Sequence, residues 1–226
     1  MTRFYEAGIE PDGQPLPILY SFRRCPYAMR ARMALVASGT PCRLREIVLR
    51  DKPDEMLAAS PKGTVPVVVL PDDAVVDESL DVMQWSLGLN DPDDWLIPPT
   101  ETVDDMMALI RQCDDQFKHN LDRYKYDTRY PGEKSTDHRQ EGLLFLELLN
   151  GHLKGQPFLF GERACLADVA IFPFIRQFAN TDRAWFDSLP LPELQDWLAL
   201  WLDSEVFSKV MTKFPLWKKT GEENFF

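Results

Sequence analysis

The amino-acid pattern of this chain changes once, near residue 90, and the change restricts the folds that the chain can adopt. Before it, short runs rich in β-branched and aromatic residues alternate with runs of helical character. After it, apolar residues follow helical spacing, as in 194–202, where they fall at i, i+3, i+4, i+7 and i+8. The sequence therefore predicts an α/β domain followed by an all-helical domain.

The first part of the chain predicts seven elements in the order β-α-β-α-β-β-α. A strand–helix–strand crossover gives a parallel pair of strands, whereas a short hairpin gives an antiparallel pair. Pro71-Asp72-Asp73 supplies the hairpin turn between the last two strands. We therefore expect a mixed four-stranded sheet, with strands at 17–22, 43–48, 66–70 and 74–76 and helices at 28–38, 53–59 and 78–87.

A polar segment that contains prolines separates the two predicted domains. Residues 89–101 combine Pro92, Pro98 and Pro99 with several Asp and Asn, a composition typical of a stiff connector. We therefore assign residues 1–88 to the first domain and residues 102–226 to the second. In the second domain we expect two long helices, at 106–126 and 137–153, with a break at 130–133.

The charge balance restricts the partners of the protein. With 25 basic and 36 acidic residues, the 226-residue chain has a formal charge of −11, which disfavours binding to nucleic acids and to anionic membrane surfaces. No apolar run approaches the roughly 18 residues of a membrane span, and the first residues lack the apolar region of a secretory signal. We therefore expect a cytoplasmic protein with no nucleic-acid or membrane partner.

The cysteines and histidines predict thiol chemistry and neither a disulfide scaffold nor a metal site. Four cysteines are too few and too scattered to cross-link a chain of this length, and in a reducing compartment they are thiols. No two of them form a CxxC pair, and the histidines have no metal-ligand spacing. We expect free thiols at Cys25, Cys42, Cys113 and Cys165 and no metal at His119, His138 and His152.

Cys25 has the sequence surroundings of a reactive thiol. A predicted strand ends near Phe22, and Pro26 favours the first turn of a helix, so Cys25 falls at a helix N-terminus. The helix dipole and the neighbouring Arg23 and Arg24 then favour a thiolate, with a pKa of about 3.5 to 7.5. The alternative is a small buried side chain, the common state of free cysteine, and we expect that state for the other three cysteines.

Several motifs of the first domain resemble those of a known family. Cys25-Pro26-Tyr27-Ala28 is similar to the Cys-Pro-Tyr-Cys active site of glutaredoxins, with Ala28 in place of the second thiol. The chain resembles the glutathione transferases, within them the omega-like, cysteine-type members. The resemblance implies a thioredoxin-like N-terminal domain, a C-terminal helical bundle, and glutathione as co-substrate without a metal. It continues in order through Asp51-Lys52-Pro53, Ser60-Pro61-Lys62-Gly63-Thr64-Val65-Pro66 and Asp77-Glu78-Ser79.

The resemblance also implies which residues hold glutathione. Val65 would precede a cis proline, and its backbone would pair with the backbone of a bound peptide. Ser79 and the N–H groups of the helix start would hold the γ-glutamyl carboxylate, while Glu78 would face its amino group. Lys52 would meet the glycyl carboxylate, and Tyr27 would border the sulfur. Each feature has a purely structural alternative, namely a helix cap, a solvated lysine or an ordinary proline turn.

Two further features fall in the second domain. Cys165 and Asp168 resemble the helix-opening box of the family, in which Ser or Thr usually occupies the place of Cys165. Asp168 can still accept a hydrogen bond from the N–H of residue 165, which predicts a role in folding. Between Lys118 and Tyr126, basic side chains and tyrosines concentrate, either as a site for an anionic or aromatic electrophile or as a solvated helix face.

These features predict a glutathione-dependent thiol transferase. Cys25 would attack a mixed disulfide or a glutathionyl adduct, and a second glutathione would resolve the product. One alternative is a conjugating transferase, which would need a hydroxyl such as that of Ser21 or Tyr20. Another is a non-catalytic interaction module, because fold does not fix function. The resemblance implies a homodimer, and the sequence does not identify the second substrate.

Overall fold

The computed structural model describes residue 13, residues 15–222 and residues 224–226. These residues form two compact units. The first contains the described residues up to Pro92 together with Glu205–Phe226, and the second is Asp93–Ser204. The boundary at Pro92 lies inside the connector expected at 89–101. The last 22 residues group with the first unit, whereas the predicted second domain extends to residue 226.

The N-terminal part of the first unit contains the seven predicted elements in the predicted order. Helix α1 begins where Pro26 occupies its first turn and ends at Gly39, which adopts the left-handed conformation (φ 68°) that glycine tolerates best. The strands are β1 (Ile18–Ser21), β2 (Arg43–Glu46), β3 (Val67–Val69) and β4 (Val75–Val76), and the helices are α1 (Pro26–Ser38), α2 (Asp54–Ala59) and α3 (Ser79–Leu89).

The second unit is built from helices. The helices predicted at 137–153 and 194–202 are confirmed, but the one predicted at 106–126 is interrupted by a π-helical turn, Cys113–Phe117. Phe117, the last residue of this turn, is buried, and its ring centroid lies 4.9 Å from that of Phe145. The helices are α4 (Val103–Gln112), α5 (Lys118–Lys125), α6 (Ser135–His152), α7 (Leu166–Ala179), α8 (Arg183–Asp187) and α9 (Pro192–Leu202), with a short 3-10 turn at Asp127–Arg129.

The C-terminal segment returns to the first unit and adds a strand to its sheet. It consists of α10 (Glu205–Val210), α11 (Trp217–Thr220) and β5 (Asn224–Phe225). The strand order is β4-β3-β1-β2-β5; β1 and β2 pair in parallel, and the other neighbours are antiparallel. The mixed sheet is confirmed, with five strands where four were predicted. Two residues are too few for β5 to show an alternating pattern in the sequence.

Residues of β1 alternate between the two faces of this sheet. Leu19 lies in a cluster with residues of α1 and α3, whereas Tyr20 lies in a cluster on the opposite face. Cys25 and Trp217 are half-buried against this second cluster, which also contains Val65. The strand therefore fixes the position of the loop that carries Cys25. None of the helices in the described part of the chain has the length and apolar character to cross a bilayer.

Candidate active site around Cys25

Cys25 occupies the position that the sequence predicts, directly before the first turn of α1. Its backbone is extended (φ −74°, ψ 124°), and its N–H donates to the Phe22 carbonyl at 2.9 Å, closing a turn between β1 and α1. The side chain is half-buried, whereas Cys42, Cys113 and Cys165 are buried as expected. Cys25 is therefore the cysteine that a reagent in solution can reach among the four.

The segment before Pro66 lies against this thiol. The Val65–Pro66 peptide bond is cis, as the resemblance implies. The Cys25 sulfur lies 3.8 Å from the Val65 carbonyl oxygen, which is within the range of a weak S–H···O hydrogen bond. Val65 lies outside the regular ladder, which begins at Val67. The thiol and the backbone expected to bind a peptide are thus brought together.

Lys52 lies beside the same loop. Gly63 has a positive φ of 64°, and a Cβ built on it would lie 3.2 Å from the Lys52 ammonium nitrogen. Lys218 of α11 contacts the preceding residue by an ion pair with Asp51 and also donates to the Lys52 carbonyl at 3.4 Å. Gly63, two residues before Val65, has no side chain and therefore leaves room for the Lys52 ammonium group.

Ser79 and Glu78 stand at the start of α3, as predicted, and each has a partner in the protein. The buried Ser79 hydroxyl accepts from the Arg30 guanidinium at 3.0 Å, and its own proton remains available to donate. Glu78 occupies the N-cap position and is exposed, and Lys62 donates to it at 2.6 Å. Lys62 also donates to Asp77 at 3.0 Å. Neither Lys62 nor Arg30 was predicted as a site residue.

The charges of this cluster shift the pKa values of Asp77 and Lys62. The Ser60 hydroxyl and then the Lys62 ammonium lower the pKa of Asp77. Glu78 and Asp77 in turn raise the pKa of Lys62, chiefly through their hydrogen bonds. The start of α3 therefore carries two acidic side chains with one lysine between them.

Tyr27 lies in the first turn of α1, next to the thiol in sequence. It is half-buried, and the Arg30 guanidinium lies 5.2 Å from the centre of its ring. Arg30 therefore connects Tyr27 to Ser79, two of the residues assigned to the site from the resemblance. The contact is a cation–π geometry, within the ~6 Å that such pairs require.

The positive charge near Cys25 includes a residue that was not expected. Arg24 is exposed and lies over the Phe22 ring, 5.3 Å from its centre. Arg32 was not predicted, yet it is fully buried and donates to the Arg23 carbonyl at 2.7 Å, two residues before the thiol. Burial lowers the pKa of Arg32 to about 10, and the charges of Glu46 and Cys25 oppose that shift. The spacing of seven residues between Cys25 and Arg32 was the available signal.

The two hydroxyls considered for conjugation are not positioned as thiolate donors. Tyr20 is 2% exposed, and its hydroxyl accepts from Arg45 at 2.6 Å. Ser21 has no exposed surface at all. Both hydroxyls are less exposed than that of Ser79 (4%) and far less than the half-buried Cys25, which disfavours a role for either as the donor to a bound thiolate.

The features singled out in the second unit have structural partners. Asp168 accepts from the Cys165 N–H at 3.0 Å, so the expected cap is confirmed. Burial raises the pKa of the Cys165 thiol, which keeps it neutral. In the segment between Lys118 and Tyr126, Lys118 pairs with Asp122, Leu121 is buried and His119 is exposed, while the other residues are half-buried. These contacts pair a basic group within the protein and do not distinguish the two interpretations. Within the described residues no group of three or more His, Cys, Asp or Glu could hold a metal ion.

Comparisons with known proteins agree with this architecture. Residues 19–93 match the model of the glutathione S-transferase N-terminal domain, and residues 133–200 match that of the C-terminal domain. A probable glutathione S-transferase, GSTU1, from Oryza sativa subsp. japonica is 27% identical over 192 residues, covering 81% of this chain and 82% of the relative. Glutathione S-transferase omega-1 from Mus musculus is 26% identical over 226 residues, covering 96% and 86%.

Solved structures show the same fold. The glutathione transferase URE2P6 from Phanerochaete chrysosporium, in complex with oxidized glutathione, superposes with a TM-score of 0.75 at 20% identity, covering 89% of this chain and 96% of that one. A family member from Pseudomonas fluorescens pf-5 with two glutathione bound gives 0.73 at 20% identity, covering 87% and 92%. Because the two family models cover both parts of the chain and together more than half of it, the chain belongs to the glutathione transferase superfamily.

Proposed function

We propose that this protein is a cysteine-type, omega-like glutathione transferase with thiol transferase activity and that Cys25 is its nucleophile. The observation that carries the proposal is the half-buried thiol at the start of α1, 3.8 Å from the Val65 carbonyl. The two nearby hydroxyls that could replace it are buried. Relatives and structural neighbours support glutathione as the co-substrate, since two of those neighbours contain bound glutathione or oxidized glutathione.

The reaction needs two thiol–disulfide exchanges. The Cys25 thiolate attacks the glutathionyl sulfur of a mixed disulfide; a new S–S bond forms, the old one breaks, and the substrate thiolate leaves and takes a proton from solvent. A second glutathione thiolate then attacks the same glutathionyl sulfur, which releases the Cys25 thiolate and glutathione disulfide. Ala28 leaves no second thiol in the motif, so glutathione is the resolving thiol.

The chain's own residues bind and orient glutathione in this proposal. The Val65 backbone pairs with the cysteinyl part of the tripeptide and directs its sulfur at Cys25. The Ser79 hydroxyl, which accepts from Arg30, donates its proton to the γ-glutamyl carboxylate. Glu78 faces the γ-glutamyl amino group. The Glu78 carboxylate then binds both that amino group and the Lys62 ammonium. Lys52 meets the glycyl carboxylate.

The test is an assay of glutathione-dependent disulfide reduction with hydroxyethyl disulfide. We expect activity in the wild type, loss of it in Cys25→Ser, and retention in Cys113→Ala, the control for a buried cysteine. Cys25→Ser with full activity would refute the mechanism. A parallel assay with a chlorinated aromatic acceptor separates the conjugating transferase from the thiol transferase, and inactivity in both assays would favour an interaction module. We also propose a homodimer, which the resemblance implies, and a cytoplasmic location.

A further inference from the structure

A buried ion pair lies beneath the turn that carries Cys25. Arg32 of α1 has no exposed surface, and Glu46 at the end of β2 is 6% exposed. Both side chains bind the backbone of Arg23: its N–H donates to Glu46 Oε1 at 2.8 Å, and its carbonyl accepts from Arg32 Nη2 at 2.7 Å. The residue two positions before Cys25 is thereby held on both sides.

The geometry of the pair is poor for stability. Arg32 Nη1 and Glu46 Oε2 are 4.0 Å apart. Among the residues that the structure describes, neither of these atoms has a hydrogen-bond partner, and the same holds for Arg32 Nε and Ser21 Oγ. A buried pair with unsatisfied polar atoms stabilises a fold little, because removing two charges from water costs more than an imperfect contact returns. The pair therefore calls for an explanation other than stability.

The guanidinium lies on the Cys25 side of α1. Side chains of a helix lean towards its N-terminus, and that of Arg32 reaches back two turns to the Arg23 carbonyl. A negative charge on Cys25 offsets part of the burial that lowers the pKa of Arg32, so the two groups interact electrostatically. The other charges nearby are Glu46 and Arg23 in the same network, Arg24 in solvent, and Arg30, which binds Ser79.

We propose that Arg32 and Glu46 are positioning residues for Cys25: the buried Arg32 charge stabilises the Cys25 thiolate, and the pair fixes the turn that places it. The catalytic consequence rests on the function proposed above, whereas the effect on the thiol does not. Arg32 takes the role that the sequence suggested for Arg23 and Arg24. Glu46 holds the Arg23 N–H and moderates the positive charge, so the two members of the pair act on the thiolate with opposite sign.

The test is the pH dependence of Cys25 alkylation by iodoacetamide, read by peptide mass in the full chain. Removing both charges in Arg32→Met/Glu46→Leu should raise the Cys25 pKa, because the positive charge that interacts with Cys25 is lost. The rise should be smaller than the roughly one unit or more expected for loss of a lone positive charge, because the opposing Glu46 charge is lost as well. Arg32→Lys should keep most of the wild-type titration. Glu46→Gln retains an acceptor for Arg23 and removes a negative charge, so it should lower the pKa. Arg24→Met is the matched control and should leave the titration unchanged.

A merely structural role for the pair predicts different results. It predicts a large fall in melting temperature for the double variant and shifts of the Cys25 pKa in one direction for every variant. We expect the double variant to melt within a few degrees of the wild type. The proposal would be overturned if the folded double variant had the wild-type Cys25 pKa. It would also be overturned if Glu46→Gln raised the Cys25 pKa as much as the double variant does. Failure of the proposed thiol transferase function alone would appear as a wild type without disulfide reductase activity, or as full activity in Cys25→Ser, with these titrations intact.

Discussion

Asp168→Ala removes a buried carboxylate that does more than cap a helix. Its two oxygens accept from three N–H groups: those of Leu159 and Cys165 in the backbone, at 2.9 and 3.0 Å, and the Trp197 indole at 2.9 Å. All of these bonds are buried. The side chain thus connects the start of α7 to the loop before it and to α9.

The magnitude follows from the donors that would be left without an acceptor. Each unsatisfied buried N–H costs about 1 to 3 kcal/mol. Part of this loss is offset, because burial raises the pKa of Asp168, which shows that the ionised carboxylate is itself unfavourable there. We therefore expect a loss of about 3 to 5 kcal/mol, at the upper end for a single substitution. For a chain of this size, the melting temperature should fall by ~6 to 20 °C.

The assay is thermal and urea unfolding followed by circular dichroism at fixed pH. Asp105→Ala is the matched control, since Asp105 forms the same kind of capping box with Thr102 at the start of α4 but is exposed. It should cost much less than Asp168→Ala. The stability of Asp168→Asn should lie between those of the wild type and Asp168→Ala, because asparagine keeps one acceptor oxygen and places an amide donor against the Cys165 N–H. Equal losses in Asp168→Ala and Asp105→Ala would refute the account of the buried network.

Three further predictions concern the first unit. Glu78→Ala and Ser79→Ala should each weaken glutathione binding about tenfold in calorimetry, while Asp81→Ala, one turn along the same helix, should not. Wild-type affinity in both variants would contradict the proposed glutathione site. Gly63→Ala should weaken glutathione binding and lower the melting temperature, because a Cβ at φ 64° would lie 3.2 Å from Lys52 and from Leu57. Gly88→Ala is the control: its Cβ would meet no atom within 4 Å, so the variant should be neutral or stabilising. Asp77 has a lowered pKa in the folded state, so its stabilisation is present above the unfolded value of 3.8 and is lost as the pH falls. The stability difference between the wild type and Asp77→Asn should therefore shrink on acidification, and a constant difference would contradict the pKa.

The sequence predicted the site where local rules govern the backbone. Pro26 fixes the start of α1 and thereby the position of Cys25, whereas Glu78 and Ser79 were assigned from the family resemblance together with a predicted helix start. The order of the first seven elements followed from alternating patterns and from the hairpin turn. Local chemistry of this kind is carried by a few adjacent residues, so it can be read without the tertiary structure.

Features that depend on tertiary contacts were not predictable in the same way. Strand β5 has two residues and exists because the chain end returns to pair with β2. Arg32 has its spacing from Cys25 as a signal in the sequence, but an arginine in a helix is usually solvated, and only the tertiary structure makes it a buried charge. Lys62 is the one charged residue of the loop between α2 and β3, and its contact with Glu78 depends on how that loop folds back on the start of α3.

The central claim is that Cys25 is the nucleophile that carries a glutathionyl group between two exchanges. The most direct measurement is intact-mass and peptide mass spectrometry of the full chain after treatment with glutathione disulfide and then with reduced glutathione. We predict one glutathionyl group, on Cys25, which reduced glutathione removes, while the buried Cys42, Cys113 and Cys165 stay unmodified. An unmodified Cys25, or a Cys25 adduct that reduced glutathione cannot remove, would contradict the account.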